Sequence, residues 1–342
     1  MSALRIGMVV PPYYPLPPTG YGGIEEVATL LIDALVARGH EVTVIGAGEG
    51  GHTGEHVATY TEPLVGRIGE SVPEVVHAAE AEVALGELDP DLVHDHTLAG
   101  LLCARERVWP TVATAHGPVT DEIGRLYGAV ADSVHLVAIS DAQRRLAPDL
   151  PWVGRVYHGL EVSDWPYCAE KEDYALFLGR ITPDKGPGVA VEAARRAGVR
   201  LLIAGKVSED HERRCFDTEV APHVGKGVEW LGVADSETKR QLMAKARCLL
   251  FPIQWEEPFG MVMIEAMATG TPVVAFGRGS VPEVVDDGVT GFVVDDLDGL
   301  VEGMRQVSTI DPASCRKRVE MHFRVDDMAK GYEDIYRTVL AG

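Results

Sequence analysis

Short apolar runs alternate with helix-compatible stretches along nearly the whole chain of 342 residues, in two series separated by a single break. Parallel strands cannot be joined by a tight turn, so alternation of this kind calls for crossover helices packed on both faces of a parallel sheet. The first series opens with "LRIGMVV", a Pro/Gly loop and "IEEVATLLIDALVARGHEVTVIG". Within it Val27, Leu30, Leu31, Ala34 and Leu35 recur at helical spacing, and Gly39 ends the run. "LVHDH", "TVATAH", "HLVAIS" and "GRVYHG" are the next strand candidates. At 160–173 the pattern breaks into the polar and aromatic "LEVSDWPYCAEKED". A second series follows with "YALFLGRI", "VRLLIAG", "VEWLG", "CLLFPI", "TPVVAF" and "GFVVDD", and the chain ends in a helix-like "VDDMAKGYEDIYRTVLAG". The expectation is an α/β protein of two doubly wound domains, divided at 162/163, with ligand bound at the carboxyl ends of the strands in a cleft between them.

Composition narrows the function. The net charge of −21 opposes attraction to nucleic acid or to an anionic membrane. Residues 1–165 hold 9 Arg, no Lys and 23 acids, so the cations able to hold an anion lie chiefly in the second half. No apolar run is long enough to cross a bilayer and the N-terminus lacks a signal-peptide layout, which leads to the expectation of a soluble, cytoplasmic chain without membrane insertion. The five cysteines are odd in number and scattered, so reduced thiols are expected.

The densest motif is "EEPFGMVMIEAMATGTPVVAF" at 256–276, where Glu257 and Glu265 have seven residues between them. Pro258 and Gly260 are poor helix-interior residues, so a helix should start near Gly260 and stop at Gly270. The N–H groups of its first turn, at Gly260, Met261 and Val262, would then make a seat for phosphate. Carboxylates repel phosphate, so Glu257 and Glu265 are better suited to accepting hydrogen bonds from hydroxyls. A ligand with phosphate in the middle and polyols on either side, such as a nucleotide sugar, fits both demands. "GRITPDKG" at 179–186 adds Arg180 and Lys185 at the end of a buried-looking strand, where both cations can face a diphosphate.

Near the N-terminus, "PPTGYGGIEE" has Glu25 where a dinucleotide fingerprint needs glycine, which weakens a dehydrogenase reading. Gly22 and Gly23 at a helix start still permit close backbone approach to a phosphate or acceptor. His116 ends a strand-like run before Gly-Pro and should face the cleft. His94 and His96 share a strand face and invite a metal reading, but two histidines are too few for a site, and no metal is expected.

"FLGRITPDKG", "EEPFGMVMIEAMATGTPVVAF" and "GSVPEVVDDGVTGFVV", together with "GYGGIEE" and the His-Gly at 116, resemble the retaining glycosyltransferases of family four. The resemblance implies the GT-B fold: an acceptor domain over 1–162, a nucleotide-sugar domain over 163–322 and a C-terminal helix, 323–342, returning to the first domain. It also implies a nucleotide-sugar donor, with UDP favoured and GDP possible, no cofactor and no metal. By the same resemblance Glu257 takes donor-sugar hydroxyls, Glu265 the ribose, Arg180 and Lys185 the diphosphate, Val233 main-chain groups the base, Gly22 and Gly23 the phosphate and acceptor, and His116 the sugar. Two positions depart from the family. His158 stands before Gly159 where Asn is frequent, and "KVSEDHE" replaces a glycine-rich turn, leaving Lys206 as an added phosphate or base contact. The acceptor is expected to be a soluble small molecule or oligosaccharide; a sugar-nucleotide epimerase or an inactive nucleotide-sugar binder is the competing reading.

Overall fold

The computed structural model describes residues 3–20 and 22–342. The chain divides into two units, one made of Met1–Gly159 with Val325–Gly342 and one of Leu160–Arg324. In the first, strands β1 (Arg5–Val9), β2 (Glu41–Ala47), β3 (Glu55–Tyr60), β4 (Leu92–Asp95), β5 (Thr111–Thr114), β6 (His135–Ala138) and β7 (Trp152–Arg155) form a seven-stranded sheet in the order 3-2-1-4-5-6-7. In the second, β8 (Tyr174–Leu178), β9 (Arg200–Ala204), β10 (Val228–Trp230), β11 (Cys248–Phe251), β12 (Val273–Phe276) and β13 (Gly291–Val294) form a six-stranded sheet in the order 10-9-8-11-12-13. Every pairing is parallel.

The crossovers in the first unit carry α1 (Gly23–Ala37), α2 (Ser71–Leu88), α3 (Asp121–Val130) and α4 (Asp141–Leu146). Those in the second carry α5 (Pro187–Ala197), α6 (Asp210–Cys215), α7 (Ser236–Lys245), α8 (Met261–Ala268) and α9 (Val281–Val284), while α10 (Leu297–Gln306) and α11 (Pro312–His322) follow its last strand. Central strands such as β4, β5, β11 and β12 are buried throughout, as a sheet covered on both faces requires. The second unit's core joins Phe177, Ile203, Leu250 and Val274 of the sheet to Val191 and Ala194 of α5 and to Leu300 and Met304 of α10. The last helix, α12 (Val325–Leu340), belongs to the first unit. It packs on α1 and β7 through a face that includes Met328, Tyr332, Ile335 and Tyr336. Its buried Glu333 accepts two hydrogen bonds of 2.8 Å from Arg38 and faces His40 Nε2 at 3.1 Å.

Two local expectations need correction. "GRVYHG" is a strand only at its start: β7 is Trp152–Arg155, and the chain leaves the ladder after Val156 N–H donates to Ala138. β3 has no counterpart in the sequence reading, because this edge strand has no fully buried residue and no clean alternation. All five cysteines are free thiols; burial pushes Cys215, Cys248 and Cys315 up to about 12. Among the described residues no helix is long and apolar enough to cross a membrane, and no group of three or more His, Cys, Asp or Glu is placed to hold a metal.

Candidate active site

In the second unit the strand order reverses between β8 and β11, and an open parallel sheet leaves a crevice at the carboxyl end of such a switch point. The loops leaving those two strands carry the charged residues singled out from sequence. After β8 the chain makes a short turn, Pro183–Lys185, closed by Gly186 at φ 72°. A Cβ at Gly186 would collide with the Pro252 carbonyl, so only glycine lets the two loops lie this close. Gln254 N–H donates to Asp184 O at 2.7 Å and fixes their register. Lys185 Nζ then reaches Glu257 Oε2 at 2.6 Å, while Trp255 Nε1 donates to the same oxygen at 3.1 Å. Glu257 is 8% exposed, and its Oε1 takes no hydrogen bond from the described residues.

Arg180 presents a different sign. Its Nε is buried and has no acceptor among the described residues. A buried donor left unmatched is costly.

Helix α8 begins as the motif predicts, with Gly260 as N-cap at φ 76° and no capping side chain. The N–H groups of Met261 and Val262 therefore lack helical partners and point the positive end of the helix at its start. Glu265, 4% exposed, lies one turn into α8 and accepts a hydrogen bond from Lys239 Nζ of α7 at 2.9 Å. Lys206 follows β9 and is half-buried, and its carbonyl accepts Ile181 N–H at 3.4 Å. The segment beyond it is ordered without glycine: Glu212 Oε2 accepts from Ser208 N at 2.8 Å and Glu209 N at 3.1 Å. Val233 is 61% exposed beyond β10, with no side-chain role that the structure brings out. Lys185 and Glu257 touch directly.

Sequence reasoning missed the clamp that holds the Glu257 loop. Ser280 N–H donates to Glu257 O at 2.9 Å and Ser280 Oγ to Phe259 O at 2.7 Å, while Gly279 N–H donates to Glu256 Oε2 at 2.7 Å. Gly279 sits at φ 57° against the Glu257 backbone, which a Cβ would strike. "GSVPEVV" is part of a segment that carries the family resemblance, but nothing in a serine's sequence context shows which distant carbonyl it meets.

In the first unit, Gly22 is the N-cap of α1 at φ 152°, packed on Pro18, and Gly23 is exposed with open space around it. Glu25, in the first turn of α1, is 4% exposed, and burial raises its carboxyl to about 7. His116 follows β5 and is half-buried, with Nε2 at 2.8 Å from His96 Nδ1 and its ring stacked on His158 at 5.4 Å. His94 uses both ring nitrogens, on Tyr336 OH at 2.7 Å and Thr114 Oγ1 at 2.8 Å, so it has no lone pair to offer a metal.

Two α/β units, each built on a parallel sheet, are the architecture of glycosyltransferases of GT-B type. Residues 21–158 match the family model for Glycosyltransferase Family 4 and residues 167–321 that for Glycosyl transferases group 1. The chain belongs to these glycosyltransferases. It is 29% identical over 339 residues to phosphatidyl-myo-inositol mannosyltransferase of Mycolicibacterium smegmatis, across 88% of this chain and 84% of that protein. Among solved structures it is similar to AviGT4, a glycosyltransferase involved in avilamycin A biosynthesis, with TM-score 0.74 and 26% identity over 99% of this chain and 98% of that one. It shares its fold with HepE of Anabaena in complex with UDP and glucose, at TM-score 0.76 and 18% identity over 98% and 100% of the two chains.

Proposed function

We propose that the protein is a retaining, metal-independent hexosyltransferase that moves a sugar from a nucleoside-diphosphate donor to a hydroxyl of a soluble small-molecule or oligosaccharide acceptor. The observation that carries this reading is the Lys185 to Glu257 contact of 2.6 Å beside the uncapped start of α8. A cation for the diphosphate and a carboxylate for the sugar hydroxyls are already set side by side. Breaking the glycosyl phosphate bond builds negative charge on the departing diphosphate and positive character at the anomeric carbon. Lys185, Arg180 and the N–H groups of Met261 and Val262 stabilise the former; fixed donors need no reorganisation as the charge grows. These groups supply the neutralisation that a metal would otherwise give. Glu257, through its uncommitted Oε1, orients the sugar, and Glu265 takes the ribose hydroxyls. Retention follows from attack on the face the diphosphate leaves, with the leaving phosphate accepting the acceptor's proton.

UDP is the favoured nucleotide, in keeping with the nucleotide held by HepE, and GDP is second. The likeness to AviGT4 supports an antibiotic-type acceptor, and the excess acidity of residues 1–165 favours a soluble acceptor over an anionic lipid surface. The test is transfer of isotope-labelled sugar from UDP-sugars to a panel of hydroxyl acceptors, with the anomeric configuration of the product read by NMR. A product of retained configuration is expected. Epimerised donor would establish the epimerase reading instead, and unchanged donor a binding protein.

A further inference from the structure

Four histidines of the first unit form a column. His94 and His96 come from the end of β4, His116 follows β5, and His158 follows β7. Ring centroids are 4.1 Å apart from His94 to His96, 5.1 Å from His96 to His116 and 5.4 Å from His116 to His158. The column is anchored at one end: His94 is held by Tyr336 and Thr114, and Thr114 Oγ1 in turn meets Tyr332 OH at 2.8 Å. Helix α12 thus fixes the ring on which His96 rests.

We infer that His96 is a positioning residue that donates its Nδ1–H to His116 Nε2, and so makes His116 present an Nδ1–H to an oxygen of the transferred sugar. This rests on the contact between His116 and the sugar that the family resemblance implies. A neutral imidazole has one N–H and one bare nitrogen, and the 2.8 Å contact between the rings holds one proton. Both rings are neutral: burial brings His116 down to about 4, and burial, followed by the neighbouring imidazoles, depresses His96 further. If His116 donated, the proton of His96 itself would sit on Nε2, which is buried and has no partner among the described residues. A buried N–H without an acceptor is the rarer and costlier defect, so the proton of His96 belongs on Nδ1. The proton of His116 is then forced onto Nδ1, which meets no hydrogen-bond partner among the described residues of this half-buried side chain. In this tautomer Nδ1 gives a hydrogen bond and cannot take a proton from the acceptor hydroxyl. His116 recognises an oxygen lone pair, and deprotonation is left to the leaving phosphate.

Long-range proton–nitrogen NMR of the full chain labelled with nitrogen-15 histidine tests this, with His116→Gln used to assign the ring. The expected wild-type spectrum has His116 as the Nδ1–H tautomer. His96→Phe, which keeps a stacking ring and deletes both nitrogens, should release His116 to the Nε2–H form and lower kcat about tenfold, the worth of one hydrogen bond. His96→Asn, whose amide can replace the Nδ1–H donor, should restore the tautomer and most of the lost turnover. An Nε2–H or doubly protonated His116 in the wild type, or an unchanged spectrum in His96→Phe, overturns the inference. Wild-type turnover in His116→Ala, with the spectra as expected, overturns instead the sugar contact on which the inference rests and leaves the tautomer lock standing.

Discussion

Lys185 and Glu257 are 72 positions apart in sequence, yet their charged atoms meet at 2.6 Å, and the proposed donor site is organised around that pair. The roles assigned here make Lys185 and Arg180 act mainly on charge that appears as the bond breaks. Lys185→Ala and Arg180→Ala should each lower kcat by about 10²–10³-fold, as expected for removing one fixed donor to a developing oxyanion. Circular dichroism should stay near wild type in both; melting should stay near wild type in Arg180→Ala, since Arg180 Nε has no acceptor among the described residues to lose, and should fall in Lys185→Ala, which strips the buried Glu257 of its 2.6 Å partner. Turnover within a factor of about two of wild type in both variants would remove them from the site. At this scale the sequence was legible wherever chemistry is local: Pro258, Gly260 and the two glutamates announce a helix start with flanking carboxylates. It was silent on Trp255, Lys239 and Ser280, whose parts depend on side chains meeting across loops, and it placed His96 in a failed metal pattern when its nitrogen faces His116.

The elements are held by contacts that can be tested one at a time. Ser280→Ala deletes the hydroxyl that bonds the Phe259 carbonyl and should cost about 1–2 kcal/mol of stability. Its larger effect should be on donor KM, because the Glu257 loop loses its clamp; unchanged KM in a folded variant would deny the clamp a part in binding. Helix α12 is tied down by Glu333. Hydrogen bonds from Arg38, and then from His40, hold its carboxyl at about 2. A carboxylate pKa depressed by folding adds stability above its unfolded value of about 4.3, and that stability is lost as pH falls through the folded value. Glu333→Gln should therefore melt well below wild type at pH 7, by about 2 kcal/mol, with the gap closing between about pH 4 and 2. A gap independent of pH would assign the loss to packing. The elements themselves were mostly visible in sequence, because central parallel strands are continuous apolar runs. β3 was not, because an edge strand of half-exposed residues carries no such signal, and β7 was misplaced because the buried Val156 beyond its end extends the apolar pattern past the ladder.

For the molecule as a whole, two series of alternating runs became two parallel sheets, and the passage from one unit to the other falls between Gly159 and Leu160, at the start of the break and just before the expected 162/163 division. The return of α12 to the first unit came only from family resemblance, since an amphipathic helix does not state which domain it will cover. With a net charge of −21, the proposed binding of a diphosphate relies on local cations and a helix start. The most direct measurement is a crystal structure of the protein with UDP. The account predicts pyrophosphate density against Lys185, Arg180 and the N–H groups of Met261 and Val262, with the ribose hydroxyls on Glu265. Well-ordered UDP bound away from the loop between Phe251 and Phe259 would contradict it.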